Sequence, residues 1–173
     1  MHSSKRIFSA ASLTPPGGKI MAIFLVQHGK SLSKDQDPDQ GLSPQGMDDV
    51  KRIAAVAQGY GVQVGSIVHS GKKRARQTAE IFAAALSPAG GVKQMDGLKP
   101  LDDVVSFAGG LDAQSHLMMV GHLPFMERLT SFLITGDKER PVFKFQNGGI
   151  VCLDQGPGGT GWVIKWTLMP EIG

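Results

Sequence analysis

His28, Arg74 and His122 each stand at or just beyond the end of an apolar run, 46 and 48 residues apart. Two histidines and an arginine suit phosphoryl transfer without a metal. A neutral imidazole is a good nucleophile near pH 7 because its pKa lies close to that pH. A phosphate monoester is dianionic and repels a nucleophile unless cations and N–H donors spread its charge. Arginine's planar fork does this with paired charge-assisted hydrogen bonds. On this reading His28 attacks phosphorus in line and Arg74 holds the non-bridging oxygens. His122, when protonated, stabilises the developing charge, and water then hydrolyses the phosphohistidine.

The elements that position these groups follow from the pattern. Ile23-Phe24-Leu25-Val26-Gln27 reads as a buried strand that stops at His28, with Gly29 leaving the backbone open to a ligand. Ser66-Ile67-Val68-His69-Ser70-Gly71 is a second strand end, followed by a basic helix start in whose first turn Arg74 falls. His116 to His122 is a third, ending in Gly121-His122. Ligands of open α/β sheets bind at the carboxyl ends of strands, so these three ends are expected to meet in one crevice.

Between them the chain alternates strand and helix. Ser43-Pro44 is an N-cap with proline at the first helical position, and Met47, Val50, Ile53, Ala54 and Ala57 form one apolar stripe. Ala75, Ala79, Phe82 and Leu86 form the stripe of a helix over 72–86. Val92 to Met95 reads as a short strand, Asp102-Asp103 as the cap of a short helix, and 123–134 as a helix with Met126, Leu129, Thr130 and Leu133 inward. Val142 to Asn147, Gly149 to Leu153 and Trp162 to Met169 read as strands, the last two a hairpin. The fold class expected is α/β: a three-layer α/β/α sandwich, its sheet mostly parallel, with an antiparallel edge.

Composition narrows the function classes. The 173 residues are 41% apolar and 19% charged, ordinary for one globular domain. Lys5, Arg6 and Lys19 account for the net charge of +3, leaving 15 basic and 15 acidic residues beyond them, which gives no case for nucleic acid. No apolar run approaches the roughly 18 residues of a membrane span. Cys152 is the only cysteine, so no intrachain disulfide forms and a cytoplasmic setting is expected. Residues 1–20, Ser-rich and acid-free, read as an extraneous extension before a single domain over 21–173, with Met21 the natural start.

Three stretches carry a family resemblance: Leu25-Val26-Gln27-His28-Gly29, Ser70 through Arg74-Ala75-Arg76-Gln77-Thr78, and Val120-Gly121-His122-Leu123-Pro124. In this order they resemble the signatures of the histidine phosphatase (phosphoglycerate mutase-like) superfamily. The short length and Leu98-Lys99-Pro100-Leu101 resemble its SixA branch, the phosphohistidine phosphatases. The resemblance implies that His28 is the phosphorylated nucleophile, Arg74 the phosphate-binding arginine and His122 the second histidine of the pocket. It implies no metal or organic cofactor. The partner it implies is a monomeric enzyme's phosphorylated protein substrate, a histidine phosphotransfer domain, or else a small phosphomonoester.

One position departs from the family. Gln27 stands where most members have arginine, and it can donate hydrogen bonds to phosphate but brings no charge. Losing a charge-assisted contact costs on the order of 1.5–3 kcal/mol, roughly ten- to a hundred-fold in rate if felt wholly in the transition state. Lys30, in the following turn, is a candidate for partial compensation. No counterpart of a glutamate general acid is found, Asp102 and Asp103 reading as caps. His69 and His116 read as structural or surface residues, Gln77 and Thr78 as helix packing. The non-enzyme alternative is a phosphate-binding module whose catalysis decayed with the arginine.

Overall fold

The computed structural model describes residues 22–172; the expected extension over residues 1–20 lies outside them. Its strands are β1 (Ala22–Gln27), β2 (Ser66–His69), β3 (Val92–Gln94), β4 (Leu117–Gly121), β5 (Ile150–Gln155) and β6 (Trp162–Leu168). Its α-helices are α1 (Pro44–Gly59), α2 (Lys73–Leu86), α3 (Val104–Ala108) and α4 (Phe125–Thr135). One six-stranded sheet runs in the order β3-β2-β4-β1-β5-β6. The β3, β2, β4 and β1 pairings are parallel, whereas β5 runs antiparallel to β1 and forms a hairpin with β6. The expected α/β/α sandwich with an antiparallel edge is therefore the observed architecture.

Alternation along β1 builds both cores. Phe24 and Val26 pack with Val50, Ile53 and Ala54 of α1 and Ala79 and Phe82 of α2 on one face. Ile23 and Leu25 pack with Val104 of α3 and Phe125 and Leu129 of α4 on the other. A strand buried on both faces reads as an unbroken apolar run for this reason. The stripes of α1, α2 and α4 come out as their spacing requires, with two differences. Met47 is half-buried and Gly46 is the buried residue of the first turn of α1. Leu86, the last residue of α2, is also only half-buried.

Val142 to Asn147 is not a strand. Its residues join no ladder; Phe145 is buried, and Phe143 meets it edge to face at 5.4 Å. The apolar alternation there is used to pack aromatic rings on the core. The segment then ends at the carboxyl end of β1, where the Gly148 N–H donates to the Gln27 carbonyl (2.8 Å). Among the described residues no helix is long and apolar enough to cross a membrane.

The start of α1 is locked to the loop after β1. The Ser43 N–H donates to the Lys30 carbonyl (2.9 Å), and its hydroxyl accepts from the Gly46 N–H (3.0 Å), as an N-cap serine does. A Cβ on Gly46 would collide with that same Lys30 carbonyl. Gly46→Ala is expected to destabilise the protein by about 1–3 kcal/mol through overpacking, read as a lower urea midpoint with an unchanged slope.

Candidate active site

In sheet order β2, β4 and β1 are neighbours, so their carboxyl ends deliver Ser70, His122 and His28 side by side. Arg74 reaches them from the first turn of α2, whose N-cap Lys72 makes no side-chain capping bond. The Arg74 Nε–H donates to His28 Nε2 at 3.1 Å, and the His28 and His122 rings lie 4.8 Å apart between centroids. Three of the four predicted site residues thus meet, across 46 residues in one case. Gln27 is at the same strand end, but its side chain lines an adjacent cavity with Lys30, Leu123 and Asn147, and its Oε1 is buried without a partner.

The hydrogen bonds assign the tautomer of His28. Nε2 accepts from Arg74, so Nδ1 carries the proton and donates to the Gly29 carbonyl at 2.7 Å. The lone pair available for attack is therefore on Nε2. Burial, reinforced by the charge of Arg74 and opposed by the bond to Gly29, pushes the His28 pKa down to about 4. Burial also pushes His122 down to about 3, with His28, Arg74 and Lys72 adding to the effect. Both rings are neutral at pH 7. The condition set in the sequence reading, a protonated His122, is not met in the free site, because the ring is desolvated and cations crowd it.

His122 is 2% exposed and its Nε2 lies 2.6 Å from the Ser70 hydroxyl, while Nδ1 has no partner. When Ser70 donates to Nε2, Nδ1 bears the proton. Sequence reading placed Ser70 at the strand end without giving it this role.

Three further residues have roles beyond the sequence reading. Thr78 Oγ1 accepts from the Gly29 N–H (3.0 Å) and donates to the Arg74 carbonyl (2.8 Å), joining the nucleophile's loop to the arginine's helix. Gln77 accepts from the Leu42 N–H at 2.7 Å. These two do more than pack a helix. A threonine on the apolar stripe of α2 was the available signal. Asn147 Nδ2 donates to the His28 carbonyl (2.9 Å), and no sequence signal marked it.

Gly29 is buried, and a Cβ there would meet Val50, the Gly46 carbonyl and Leu42 within 3.1 Å. Its smallness serves close packing of α1 rather than the approach of a ligand. Lys30 is paired with Glu171 at 3.0 Å and so is engaged away from the three assembled groups. Asp103 caps α3 through the Val105 N–H, as expected, whereas Asp102 is no cap: it accepts from the Lys99 N–H in the turn before the helix. His69, buried, accepts from the Gly71 N–H (3.1 Å) and plays the structural part expected of it. Among the described residues no group of three or more His, Cys, Asp or Glu side chains could hold a metal ion.

Residues 23–102 match the family model of the histidine phosphatase superfamily (branch 1). An uncharacterised protein of Picosynechococcus sp. is 30% identical over 145 residues, 79% of this chain and 86% of the relative. Phosphohistidine phosphatase SixA of Escherichia coli K12 is 26% identical over 156 residues, 87% of this chain and 94% of SixA. The chain belongs to the histidine phosphatase superfamily, SixA type. A SixA structure in complex with tungstate superposes with a TM-score of 0.74 at 22% identity, covering 86% of this chain and 97% of the other. The fold of this SixA-type protein is therefore the phosphoglycerate mutase-like one. Membership and the SixA relatives support a phosphatase.

Thr78→Val removes the acceptor of the Gly29 N–H and should cost about 1–3 kcal/mol of stability. Thr78→Ser should restore most of it, as equilibrium unfolding would show. A second prediction follows from the histidines. Between pH 6.5 and about 4 an unfolded chain protonates His28 and His122 while the folded site does not. The unfolded state then binds more protons, so stability falls as pH falls through that window, the His28 contribution ending near pH 4 and that of His122 near pH 3. His28→Gln/His122→Gln should flatten this slope in Tm against pH.

Proposed function

We propose that the protein is a metal-independent phosphatase that removes phosphate from phosphohistidine on a phosphotransfer domain, through a phosphohistidine formed on its own His28. The observation that carries this reading is the pair of hydrogen bonds on His28, Nδ1 to the Gly29 carbonyl and Nε2 from Arg74. They hold a neutral imidazole with its lone pair directed at an arginine, the group best suited to an incoming phosphoryl oxygen.

An incoming phosphoryl group competes with Nε2 for the Arg74 guanidinium. Once Arg74 turns its donors to phosphate oxygens, the Nε2 lone pair is free to attack phosphorus. The bond from Nε2 to phosphorus forms as the bond to the leaving nitrogen breaks, and the leaving imidazole takes a proton from water. The Nδ1–H bond to Gly29 persists and offsets the positive charge that phosphorylation places on the ring. His122, tied to Ser70, stands beside the attacking ring. A water molecule then attacks phosphorus in line, giving inorganic phosphate and free His28.

The substrate class rests on the leaving group. Among the described residues no carboxylate hydrogen-bonds to His28, Arg74 or His122. An imidazole departs with less help than a sugar alkoxide, so phosphohistidine is the substrate that asks least of a carboxylic general acid. The family name of SixA in Escherichia coli points the same way. A second reading is favoured by one observation: Gln27 is uncharged and Lys30 is paired with Glu171. That combination would suit a phosphate-binding module with weak turnover.

One experiment separates them. Phosphate release from a phosphohistidine-bearing protein, in excess EDTA, should proceed with the wild type and vanish with His28→Ala. Gln27→Arg should raise kcat/KM by roughly ten- to a hundred-fold. Tight phosphate binding without turnover, by the wild type and by Gln27→Arg alike, would move the assignment to the binding module.

A further inference from the structure

A cavity of about 570 Å³ opens beside Arg74, walled by Lys34, Pro38 and Gln40 from the loop after β1 and by Lys72, Lys73 and Arg76 from the start of α2. Arg74 itself lines it, so the cavity is continuous with the group that holds His28 Nε2. Of its cations, Lys73 is paired with Asp37 at 2.9 Å, and Arg76 has a loose, exposed pairing with Glu80 at 3.7 Å. Lys34 and Lys72 are exposed and make no ion pair among the described residues. One carboxylate, Asp39, lines the groove.

This concentration of charge is local. Beyond the first twenty residues basic and acidic side chains are equal in number, so an excess of unpaired cations on one rim is matched by excess acid elsewhere. At physiological ionic strength charges are screened beyond about 8 Å, so the groove favours an occupant that touches it. Its exposed cations come from two separate segments and do not converge on a buried cup. Dispersed cations of this kind complement carboxylates spread over a surface better than one compact second phosphate.

We infer that the groove over Lys34, Lys72 and Arg76 docks an acidic segment of the phosphoprotein substrate beside its phosphohistidine, while Arg74 engages the phosphoryl group. This rests on the phosphohistidine phosphatase reading and adds to it a specificity surface. The groove lowers KM for substrates whose phosphorylated residue is flanked by Asp or Glu. It contributes nothing to the attack of His28, which Arg74 and the Gly29 carbonyl arrange.

The test compares the wild type with Lys34→Glu and with Lys34→Glu/Arg76→Gln, both at exposed positions. Three substrates are used: a phosphohistidine protein with acidic flanks, the same protein with those flanks changed to Ser, and p-nitrophenyl phosphate. The wild type should prefer the acidic protein by at least ten-fold in kcat/KM, mainly through KM, and lose that preference as salt is raised. The double variant should abolish the preference and change p-nitrophenyl phosphate hydrolysis by less than two-fold. Equal wild-type turnover of both proteins, or equal losses on all three substrates, would overturn the docking surface and leave the phosphatase reading standing. Wild-type turnover of p-nitrophenyl phosphate alone would overturn the phosphohistidine reading and the docking surface with it. A small diphosphorylated ester in parallel assigns the groove to a second phosphate, against the inference, if it alone loses turnover in the variants.

Discussion

The imidazole of His28 is held from both sides, by the carbonyl of the residue after it and by a guanidinium from a different helix. Each bond constrains the other. Because Arg74 donates to Nε2, Nδ1 must carry the proton, and because Nδ1 donates to Gly29, the ring cannot turn away. Much of the surrounding structure keeps these two partners in place. Thr78 ties the Gly29 amide to the Arg74 carbonyl, Asn147 ties the His28 carbonyl to the segment before β5, and the close packing of Gly29 on α1 holds the loop. A displaced α2 would lose the arginine and the anchor of the glycine together.

The electrostatics follow from the same arrangement. A half-buried imidazole, a buried one and an arginine leave no room for a protonated ring, so the free site holds neutral histidines beside one permanent cation. Its positive charge comes from Arg74, with Lys72 near enough to act on His122. Lys30, the nearest cation in sequence to the nucleophile, is spent on Glu171 near the carboxyl terminus. Gln27 in place of arginine brings no second cation, and its side chain turns to the neighbouring cavity. A dianion entering such a site raises the proton affinity of both rings, since it supplies the counter-charge that the free site lacks.

The sheet supplies the remaining geometry. Because β4 lies between β2 and β1, the second and third signatures close on the first from one side, and the crevice forms at three adjacent strand ends. The antiparallel pair β5–β6 extends the opposite side of β1, and the turn before β5 reaches back through Gly148 and Asn147 to the carbonyls of Gln27 and His28. The segment over 142–147 has the alternation of a strand and serves as a strap of packed aromatics leading to that turn.

Periodicity in the sequence determined the α/β/α layering, the Ser43 cap, the stripes of α1, α2 and α4, and the assembly of His28, Arg74 and His122. These rest on local patterns and on the rule that parallel strands present their carboxyl ends together. Tertiary structure alone decided the partners. Lys30 turns to Glu171 rather than to the phosphate position, Gln27 faces a neighbouring cavity, Gly29 is small for packing, and Thr78, Ser70 and Asn147 become positioning groups. A side chain's partner depends on which backbone arrives beside it from 49, 52 or 119 residues away. Alternation along a strand names the face a residue takes, but only the packed chain determines which atoms wait there.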